Sequence, residues 1–263
     1  MAATYLDTIL AAHRASAAAD HRPFEQLLDE ARACQPARGF SASLRTGFAV
    51  IAEVKRKSPS KGAIDAQLDP AALATAYANG GAACISVLTD AEYFGGSVAD
   101  LTAVRSAVGV PVLRKDFTVS AADVCDARIM GADALLLIVA ALDDAELADL
   151  HALALELGLE ALVEVHDETE LERALRVDAA LVGVNQRDLF TFAVDTDRAV
   201  RVASEMPGGV LRVAESGIAG PHDVVPLVAA GYHAVLVGES LVRASDPAIA
   251  VAALRAVGHQ GHR

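Results

Sequence analysis

Two opposite charges, Glu53 and Lys55, lie in the apolar run VIAEVK at residues 50–55. In a strand, residues two apart point to the same side, so both side chains would face one cavity. Burying two charges is costly unless they pair or take part in chemistry. The turn SPSKG at residues 58–62 then supplies hydroxyls, backbone N–H groups and a cation, which suits a phosphate. The competing interpretation is a surface ion pair followed by an ordinary loop.

Further charged or polar side chains stand at the ends of other short apolar runs: Lys115, Glu164, Asn185 and Glu215. Together with the first run they supply two lysines and three carboxylates. Sharing one site, these charges would shift one another's pKa, as acid/base catalysis requires. A structural ion pair could explain any one of them, but explains poorly why all stand at equivalent positions. Leu136, in a run of leucines, would leave one side of the site apolar.

Short apolar runs alternate with longer Ala-rich stretches of helical period along most of the chain. This alternation predicts βαβ units and a parallel sheet. Eight units favour an α/β fold of the (β/α)₈ TIM barrel type. The competing open doubly wound sheet is marked by a G-x-G-x-x-G turn after its first strand, and that turn is absent. The predicted strands are 48–55, 83–89, 110–115, 134–139, 160–165, 180–185, 210–215 and 234–238.

Residues 1–47 precede the repeat and have a different pattern. They predict two helices, Tyr5–Ala18 and Phe24–Arg32, separated by His21-Arg22-Pro23. So short a segment could hardly bury a core of its own. We therefore expect a helical extension that packs on the barrel, and a single domain over residues 1–263.

In such barrels the chemistry lies at the C-terminal ends of the strands, and phosphate binds to the loops after strands 7 and 8. Ser216-Gly217 follows the seventh predicted strand, and Gly238-Glu239 follows the eighth. Each glycine would allow the backbone to approach an anion closely, although either could be a plain turn residue. Ser58 would complete this phosphate pocket from the first strand.

The composition is that of a globular protein and narrows the possible partners. The chain has 263 residues, 53% hydrophobic and 22% charged, with a formal net charge of −13. This charge argues against binding nucleic acid or an anionic membrane. No apolar run approaches the roughly 20 residues of a membrane span, and no signal-peptide pattern precedes Tyr5. Cys34, Cys84 and Cys125 lack metal-ligand spacing and predict reduced core residues in a cytoplasmic protein.

Seven segments carry a specific resemblance, and they occur in the same order in a known family. They are IAEVKRKSPSKG at 51–62, YFGGS at 93–97, PVLRKDF at 111–117, GAD at 131–133, LVEVH at 162–166, ESGI at 215–218 and VLVGESL at 235–241. The chain resembles the indole-3-glycerol-phosphate synthase family of tryptophan biosynthesis, whose helical extension also matches residues 1–47. Gln186 departs from the pattern, which leads us to expect Asn or a smaller residue there. No second barrel follows, so we expect a monofunctional chain.

The resemblance implies a substrate, 1-(2-carboxyphenylamino)-1-deoxyribulose 5-phosphate, whose pyrrole ring closes with loss of carbon dioxide and water. It implies that Lys115 protonates the developing alkoxide. Lys55 would hold the substrate carboxylate and could later expel hydroxide. Glu164 would act as base or acid in the dehydration, and either Lys55 or Glu164 could donate the last proton.

The resemblance also assigns residues that bind and orient the substrate. Glu53 would pair with the lysines and bind a sugar hydroxyl, while Asn185 and Glu215 would orient the sugar and nearby side chains. Substrate-binding residues by resemblance are Ser58, Phe94, Leu136, Arg187, Leu189, Ser216, Gly217, Gly238 and Glu239, of which Phe94, Leu136 and Leu189 would pack the anthranilate ring. No cofactor and no metal are expected.

Two other functions remain open at this point. Phosphoribosylanthranilate isomerase, another sugar-phosphate barrel enzyme, would place a Cys base after strand 1 and an Asp acid after strand 6, where this chain has Glu53, Lys55 and Asn185. A catalytically silent phosphate-binding barrel is the second, although it would have no reason to keep five such charges. We expect a monomer, with a dimer as the alternative.

Overall fold

The computed structural model describes residues 4–58, 62–188 and 191–260, and eight parallel strands form a closed barrel at its centre. Each strand pairs with its neighbour in the chain, and β8 closes on β1 through pairs such as Ala49 with Ala234. The predicted TIM barrel is confirmed, with every strand end within two residues of its predicted position. The strands are β1 Ala49–Val54, β2 Cys84–Leu88, β3 Val112–Lys115, β4 Ala134–Ile138, β5 Glu160–Val165, β6 Leu181–Asn185, β7 Leu211–Glu215 and β8 Ala234–Val237.

Helices follow the strands on the outside of the barrel, and Ser or Asp side chains start several of them. Ser120 accepts a hydrogen bond from the backbone N–H of Asp123, and Asp143 accepts one from Glu146, each in a capping box. The helices are α1 Tyr5–Ala18, α2 Phe24–Arg32, α3 Phe40–Leu44, α4 Pro70–Asn79, α5 Val98–Ala107, α6 Ala121–Ile129, α7 Asp144–Glu156, α8 Glu168–Arg176, α9 Arg198–Ala203, α10 Pro221–Ala229, α11 Glu239–Val242 and α12 Pro247–Gln260.

The barrel strands are almost entirely buried, because side chains fill the interior and helices cover the outside. Every residue of β1, β2, β4, β6 and β8 is buried. This explains why the strands read in the sequence as continuous apolar runs without alternation. Charges within them are therefore costly and need partners.

The N-terminal extension closes the bottom of the barrel through α3, a helix that the sequence pattern did not predict. Phe40 and Leu44 of α3 are fully buried. The backbone N–H of Ser41 lies 3.0 Å from both carboxylate oxygens of Glu160, the first residue of β5. This short helix thus lies at the N-terminal ends of the strands, away from the opposite end where chemistry is expected.

The first helix of the extension lies instead beside the C-terminal end of the barrel. Arg14 of α1 binds Glu146 of α7 with two hydrogen bonds of 2.6 and 2.8 Å. Tyr5 places the edge of its ring against Tyr93 and Phe192, at centroid distances of 5.9 and 5.5 Å. The predicted bounds of α1 and α2 are confirmed, and the extension contacts both ends of the barrel.

Three smaller features complete the fold. Lys57–Ser58 pairs antiparallel with Gly62–Ala63, while residues 59–61 of the predicted phosphate turn lie outside the described residues. Cys84 and Cys125 are buried free thiols as predicted, but Cys34 is partly exposed, because it lies just beyond the end of α2. Within the described ranges, no helix has the length and apolar character needed to cross a membrane.

Candidate active site

The C-terminal ends of the strands surround a cavity of about 520 Å³. All but one of the site residues expected from the sequence line it, although they come from separate strands and loops. Leu189 falls outside the described residues. The lining includes Glu53, Lys55, Ser58, Phe94, Lys115, Leu136, Glu164, Asn185, Arg187, Glu215, Ser216, Gly217, Gly238 and Glu239.

Glu53 and Lys55 form an ion pair on the β1 side of this cavity. The Lys55 Nζ lies 2.6 Å from Glu53 Oε1, and the Glu53 side chain is only 6% exposed. Gly238 leaves room for the pair, since a Cβ there would lie 2.5 Å from Glu53 Oε1 and 3.2 Å from Lys55 Nζ. Gly238 thus lets the Glu53 and Lys55 side chains lie close to the backbone, and it would let a ligand do the same.

Lys115, the last residue of β3, joins two buried carboxylates from the opposite side of the barrel. Its Nζ lies 2.9 Å from Glu164 Oε2 and 3.4 Å from Glu215 Oε2. A Cβ at Gly183 in β6 would lie 2.2 Å from Glu215 Oε1, so only glycine leaves space for this carboxylate. The ammonium group is therefore held between two acids at the edge of the cavity.

Asn185 fixes the second oxygen of Glu164. Its Nδ2 donates to Glu164 Oε1 at 3.0 Å, while its Oδ1 accepts from the Arg187 backbone N–H at 3.0 Å. The Arg187 guanidinium donates to the carbonyl of Phe192 at 3.0 Å. These bonds orient Asn185 and the loop after β6, and they hold the Glu164 carboxylate toward Lys115.

Burial opposes ionisation of both Glu164 and Glu215, but their neighbours give the two carboxylates different pKa values. For Glu164, Lys115 and His166 overcome burial and lower the pKa to about 2. For Glu215, burial and the negative charges of Glu164 and Glu53 outweigh Lys115 and raise the pKa to about 8. Burial alone would lower the pKa of Lys115, but the three carboxylates raise it above its usual value. At neutral pH the site therefore holds an ammonium, an ionised Glu164 and a protonated Glu215.

The loops after β7 and β8 form a polar end of the cavity. Ser216 has a φ of 66°, a left-handed conformation that is uncommon outside glycine. The buried Gln186 side chain donates from Nε2 to the Ser216 carbonyl at 2.8 Å, which ties the β6 loop to the β7 loop. After β8, the short helix α11 begins directly at Glu239. Hydroxyls, backbone groups and a helix start thus converge at this end.

The opposite wall of the cavity is apolar. Phe94 packs against Phe117 with ring centroids 6.2 Å apart, and Leu136 and Ile138 of β4 lie beside the cavity. Such a wall suits a planar aromatic ring. The sequence analysis did not select Phe117, although it follows Lys115 by only two residues.

The sequence analysis also missed a cluster of His13, Asp90 and Asp116, whose ligand-type atoms lie within 4.8 Å of one another. These are donors that could hold a metal, but they already have partners. His13 Nε2 lies 3.0 Å from Asp90 Oδ2, and Arg114 lies 3.2 Å from Asp116 Oδ2. The other Asp90 oxygen accepts from the backbone N–H groups of Tyr93 and Phe94. We therefore assign the cluster a structural role, which is to join α1 to the cavity wall.

Arg243 is a further lining residue that the sequence analysis did not select. Its Nε lies 3.3 Å from Glu239 Oε1, one helical turn earlier. The available signal was this i,i+4 spacing, which brings a cation beside the polar end of the cavity.

Comparisons with known proteins give a consistent family match. The sequence model of the family described as Indole-3-glycerol phosphate synthase matches residues 6–254. Proteins of that name from Leptothrix cholodnii and Streptomyces griseus subsp. griseus are each 51% identical to this chain. The first match covers 91% of this chain and 93% of the relative, and the second covers 96% and 95%. The protein of that name from Nocardioides sp. is 60% identical over 78% of this chain and 79% of its own length.

Among solved structures, thiamine phosphate pyrophosphorylase from Pyrococcus furiosus matches with a TM-score of 0.63, over 84% of this chain and all of that one. At 15% identity this likeness shows the barrel fold alone. The sequence matches are far more specific, because those relatives are 51–60% identical to this chain. The chain belongs to the indole-3-glycerol phosphate synthase family.

Proposed function

We propose that the cavity binds 1-(2-carboxyphenylamino)-1-deoxyribulose 5-phosphate and that Lys115 is the acid that starts its ring closure. The family reaction converts this substrate to indole-3-glycerol phosphate with loss of carbon dioxide and water, as a decarboxylating lyase of tryptophan biosynthesis. The observation that carries the assignment is the position of the Lys115 ammonium, 2.9 and 3.4 Å from the two buried carboxylates that line the same cavity.

Ring closure joins a carbon of the anthranilate ring to the ribulose carbonyl carbon, and the carbonyl oxygen becomes an alkoxide. This oxygen needs a proton as the bond forms. The Lys115 ammonium supplies it, since an alkoxide is a far stronger base than an amine. The raised pKa keeps Lys115 charged in the resting site without preventing this transfer.

Loss of the Lys115 proton changes the protonation state of Glu164. Burial raises the Glu164 pKa, and the Lys115 charge is the main influence that lowers it. Once Lys115 is neutral, burial prevails and Glu164 takes up a proton. It can then act as the acid that expels hydroxide as water, while the neutral Lys115 amine accepts a proton from the carbon next to the ring nitrogen, which completes the double bond of the indole.

The other charged residues hold the reacting groups in place. We assign Lys55, oriented by Glu53, to the substrate carboxylate until it leaves as carbon dioxide. Asn185 keeps Glu164 aimed at Lys115. We assign Glu215 to orienting the sugar, because its Oε1 is buried without a partner among the described residues. Because both ends of the flexible substrate are held, the anthranilate carbon and the ribulose carbonyl carbon are kept in the geometry needed for attack.

The two ends of the substrate match the two ends of the cavity. We assign the phosphate to the polar end and the anthranilate ring to the apolar wall, and we assign Arg187 to the anionic groups of the substrate. The polar end comprises Ser58, Ser216, Gly217, Gly238 and Glu239, and the apolar wall includes Phe94 and Leu136.

The alternative activities fit less well. Phosphoribosylanthranilate isomerase chemistry needs a Cys base and an Asp acid at positions where this chain has Lys55 and Asn185. A silent barrel would retain no paired acids and bases in its cavity. We also propose that the chain acts as a cytoplasmic monomer, which size-exclusion chromatography with light scattering would test against a dimer.

An activity assay tests the proposed function directly. The chain contains no Trp, so indole fluorescence of the product appears against a dark protein background. We expect fluorescence to rise when the purified protein meets the carboxyphenylamino deoxyribulose phosphate, with release of one carbon dioxide per product. Absence of both signals in the folded protein would contradict the proposal.

A further inference from the structure

His166 lies between Glu164 and the outer surface of the protein, and the proposed chemistry leaves it without a role. Its Nε2 lies 3.5 Å from Glu164 Oε1, and its Nδ1 lies 2.9 Å from Glu170 Oε2. Nε2 is buried and has no hydrogen-bond partner within the described part of the chain. A buried imidazole nitrogen that faces a carboxylate without bonding to it needs an explanation.

The imidazole also separates two cavities. Glu164 lines the active-site cavity, while His166 lines a second cavity of about 210 Å³. Glu168 and Glu170 of α8 and Arg198 of α9 line this outer cavity. The chain of groups Glu164, His166 and Glu170 therefore runs from the reaction site to an outer space.

The reaction needs such a connection because it consumes a proton. The substrate carboxylate leaves as neutral carbon dioxide, and the sugar oxygen leaves as neutral water. One proton must therefore enter from the solvent in each turnover, in addition to the proton that Lys115 gives and regains. During that time the substrate occupies the open end of the active-site cavity.

We propose that His166 delivers this proton to Glu164 from the outer cavity, an inference that rests on the proposed function. The imidazolium Nε2–H passes its proton to Glu164 Oε1 and leaves a neutral ring whose remaining proton is on Nδ1. A turn of the ring about its Cβ–Cγ bond then presents the unprotonated nitrogen to the outer cavity, where it takes up a proton from water. At 3.5 Å the two atoms are farther apart than in an ordinary hydrogen bond. Loss of the Lys115 charge releases Glu164 Oε2 and lets the carboxylate turn toward the ring.

The surroundings favour the protonated form of the His166 imidazole. Burial lowers the pKa of His166, but the hydrogen bond to Glu170 and the charges of Glu164 and Glu170 raise it above its usual value, against the opposing charge of Arg198. The other charged groups of the outer cavity are Asp167, Glu168, Asp188 and Arg201. The group that faces Glu164 therefore keeps its proton to a higher pH than a free imidazole does.

Chemical rescue tests the relay. We expect His166→Ala to lower kcat by roughly tenfold or more, with a much smaller change in KM. Added imidazole should restore kcat toward the parent value in a saturable way, most strongly where imidazole is protonated. Glu168→Gln removes the same charge as Glu170→Gln from the same cavity without touching His166, and it should leave kcat and its pH profile unchanged.

Glu170→Gln gives an independent measurement. Because Glu170 raises the His166 pKa, the alkaline limb of the kcat profile should move to lower pH in this variant. If His166→Ala does not fold, the pH profile of Glu170→Gln tests the relay by itself. An alkaline limb that stays in place would then overturn the relay. An unchanged kcat in His166→Ala, or a lowered kcat that imidazole does not raise, would also overturn it. If the parent protein itself forms no indole product, the proposed function has failed instead.

Discussion

At the scale of single residues, Glu164 is controlled by one proton on its neighbour Lys115. The Lys115 ammonium at 2.9 Å holds Glu164 ionised against the effect of burial. In the proposed mechanism ring closure removes that charge, and the same burial then favours protonation of Glu164. We therefore expect Lys115 to transfer its proton first and Glu164 to act after it.

This order predicts a separation of products in Glu164→Gln. The variant should release carbon dioxide on the first turnover while the indole product lags by roughly a hundredfold, because the amide cannot deliver a proton to the departing hydroxyl. Rapid-quench single turnovers that follow carbon dioxide and indole separately measure both steps. Equal losses in the two signals would place Glu164 in or before ring closure.

Gly238 also has a consequence for catalysis. In Gly238→Ala the new Cβ would lie 2.5 Å from Glu53 Oε1, so the Glu53–Lys55 pair must move. We expect kcat to fall by about tenfold together with a rise in KM. Gly208→Ala is the matched control, since a Cβ there meets no atom within 4 Å. An effect on KM alone would mean that Gly238 serves only the phosphate.

Spacing revealed some of these residues and not others. Glu53 and Lys55 were found because residues two apart share a face of a strand. His166 lies one residue beyond β5, and its place between Glu164 and Glu170 depends on where α8 packs. His13 could not be linked to Asp90 from the sequence, because 77 positions separate them. Such contacts arise from tertiary packing and leave no local pattern.

At the scale of elements, Gln186 connects the β6 loop to the β7 loop, at a position where the resemblance leads us to expect Asn or a smaller residue. Its Nε2 holds the carbonyl of Ser216 in a left-handed conformation, while its Oε1 is buried without a partner. The longer side chain thus contributes one hydrogen bond and costs one unsatisfied oxygen.

Gln186→Met should separate these two effects. It keeps the length of the side chain but removes both polar atoms, so the unfolding free energy should change by less than about 1 kcal/mol. The freed Ser216 loop should raise KM for the phosphorylated substrate by roughly fivefold with little change in kcat. Steady-state kinetics and urea unfolding measure the two quantities. An equal rise in KM for a dephosphorylated analogue would show that the Ser216 loop does not bind the phosphate.

The long elements were predictable and the short ones were not. Eight apolar strands and the helices α1 and α2 have enough residues to display a period, and their bounds were confirmed closely. Helix α3 has five residues, too few to show one. Its position depends on Phe40 and Leu44 packing into the open bottom of the barrel, which exists only in the completed fold.

At the scale of the whole molecule, the barrel keeps a carboxyl group where its charged form is unfavourable. Glu215 has a pKa of about 8 in the folded protein, against 4.5 for the free side chain. Between these values the unfolded chain has lost a proton that the folded chain keeps. The contribution of Glu215 to the free energy of unfolding should therefore fall as pH rises from 4.5 to about 8 and level off above.

Glu215→Gln should remove this contribution. The variant should gain stability relative to the parent as pH rises through this window, by up to about 1.4 kcal/mol per pH unit. Urea unfolding of both proteins at several pH values measures the difference. Parallel stability curves would show that Glu215 is ionised throughout, contrary to the charge state assigned to the site.

We propose that Lys115 protonates the alkoxide during ring closure, and single turnovers of Lys115→Met test this role most directly. Methionine fills the space of the lysine stem but carries no proton, so the fold and substrate binding should persist. We predict that carbon dioxide release and indole formation slow together by roughly a hundredfold or more. A variant that binds substrate and still turns over at nearly the parent rate would contradict the account.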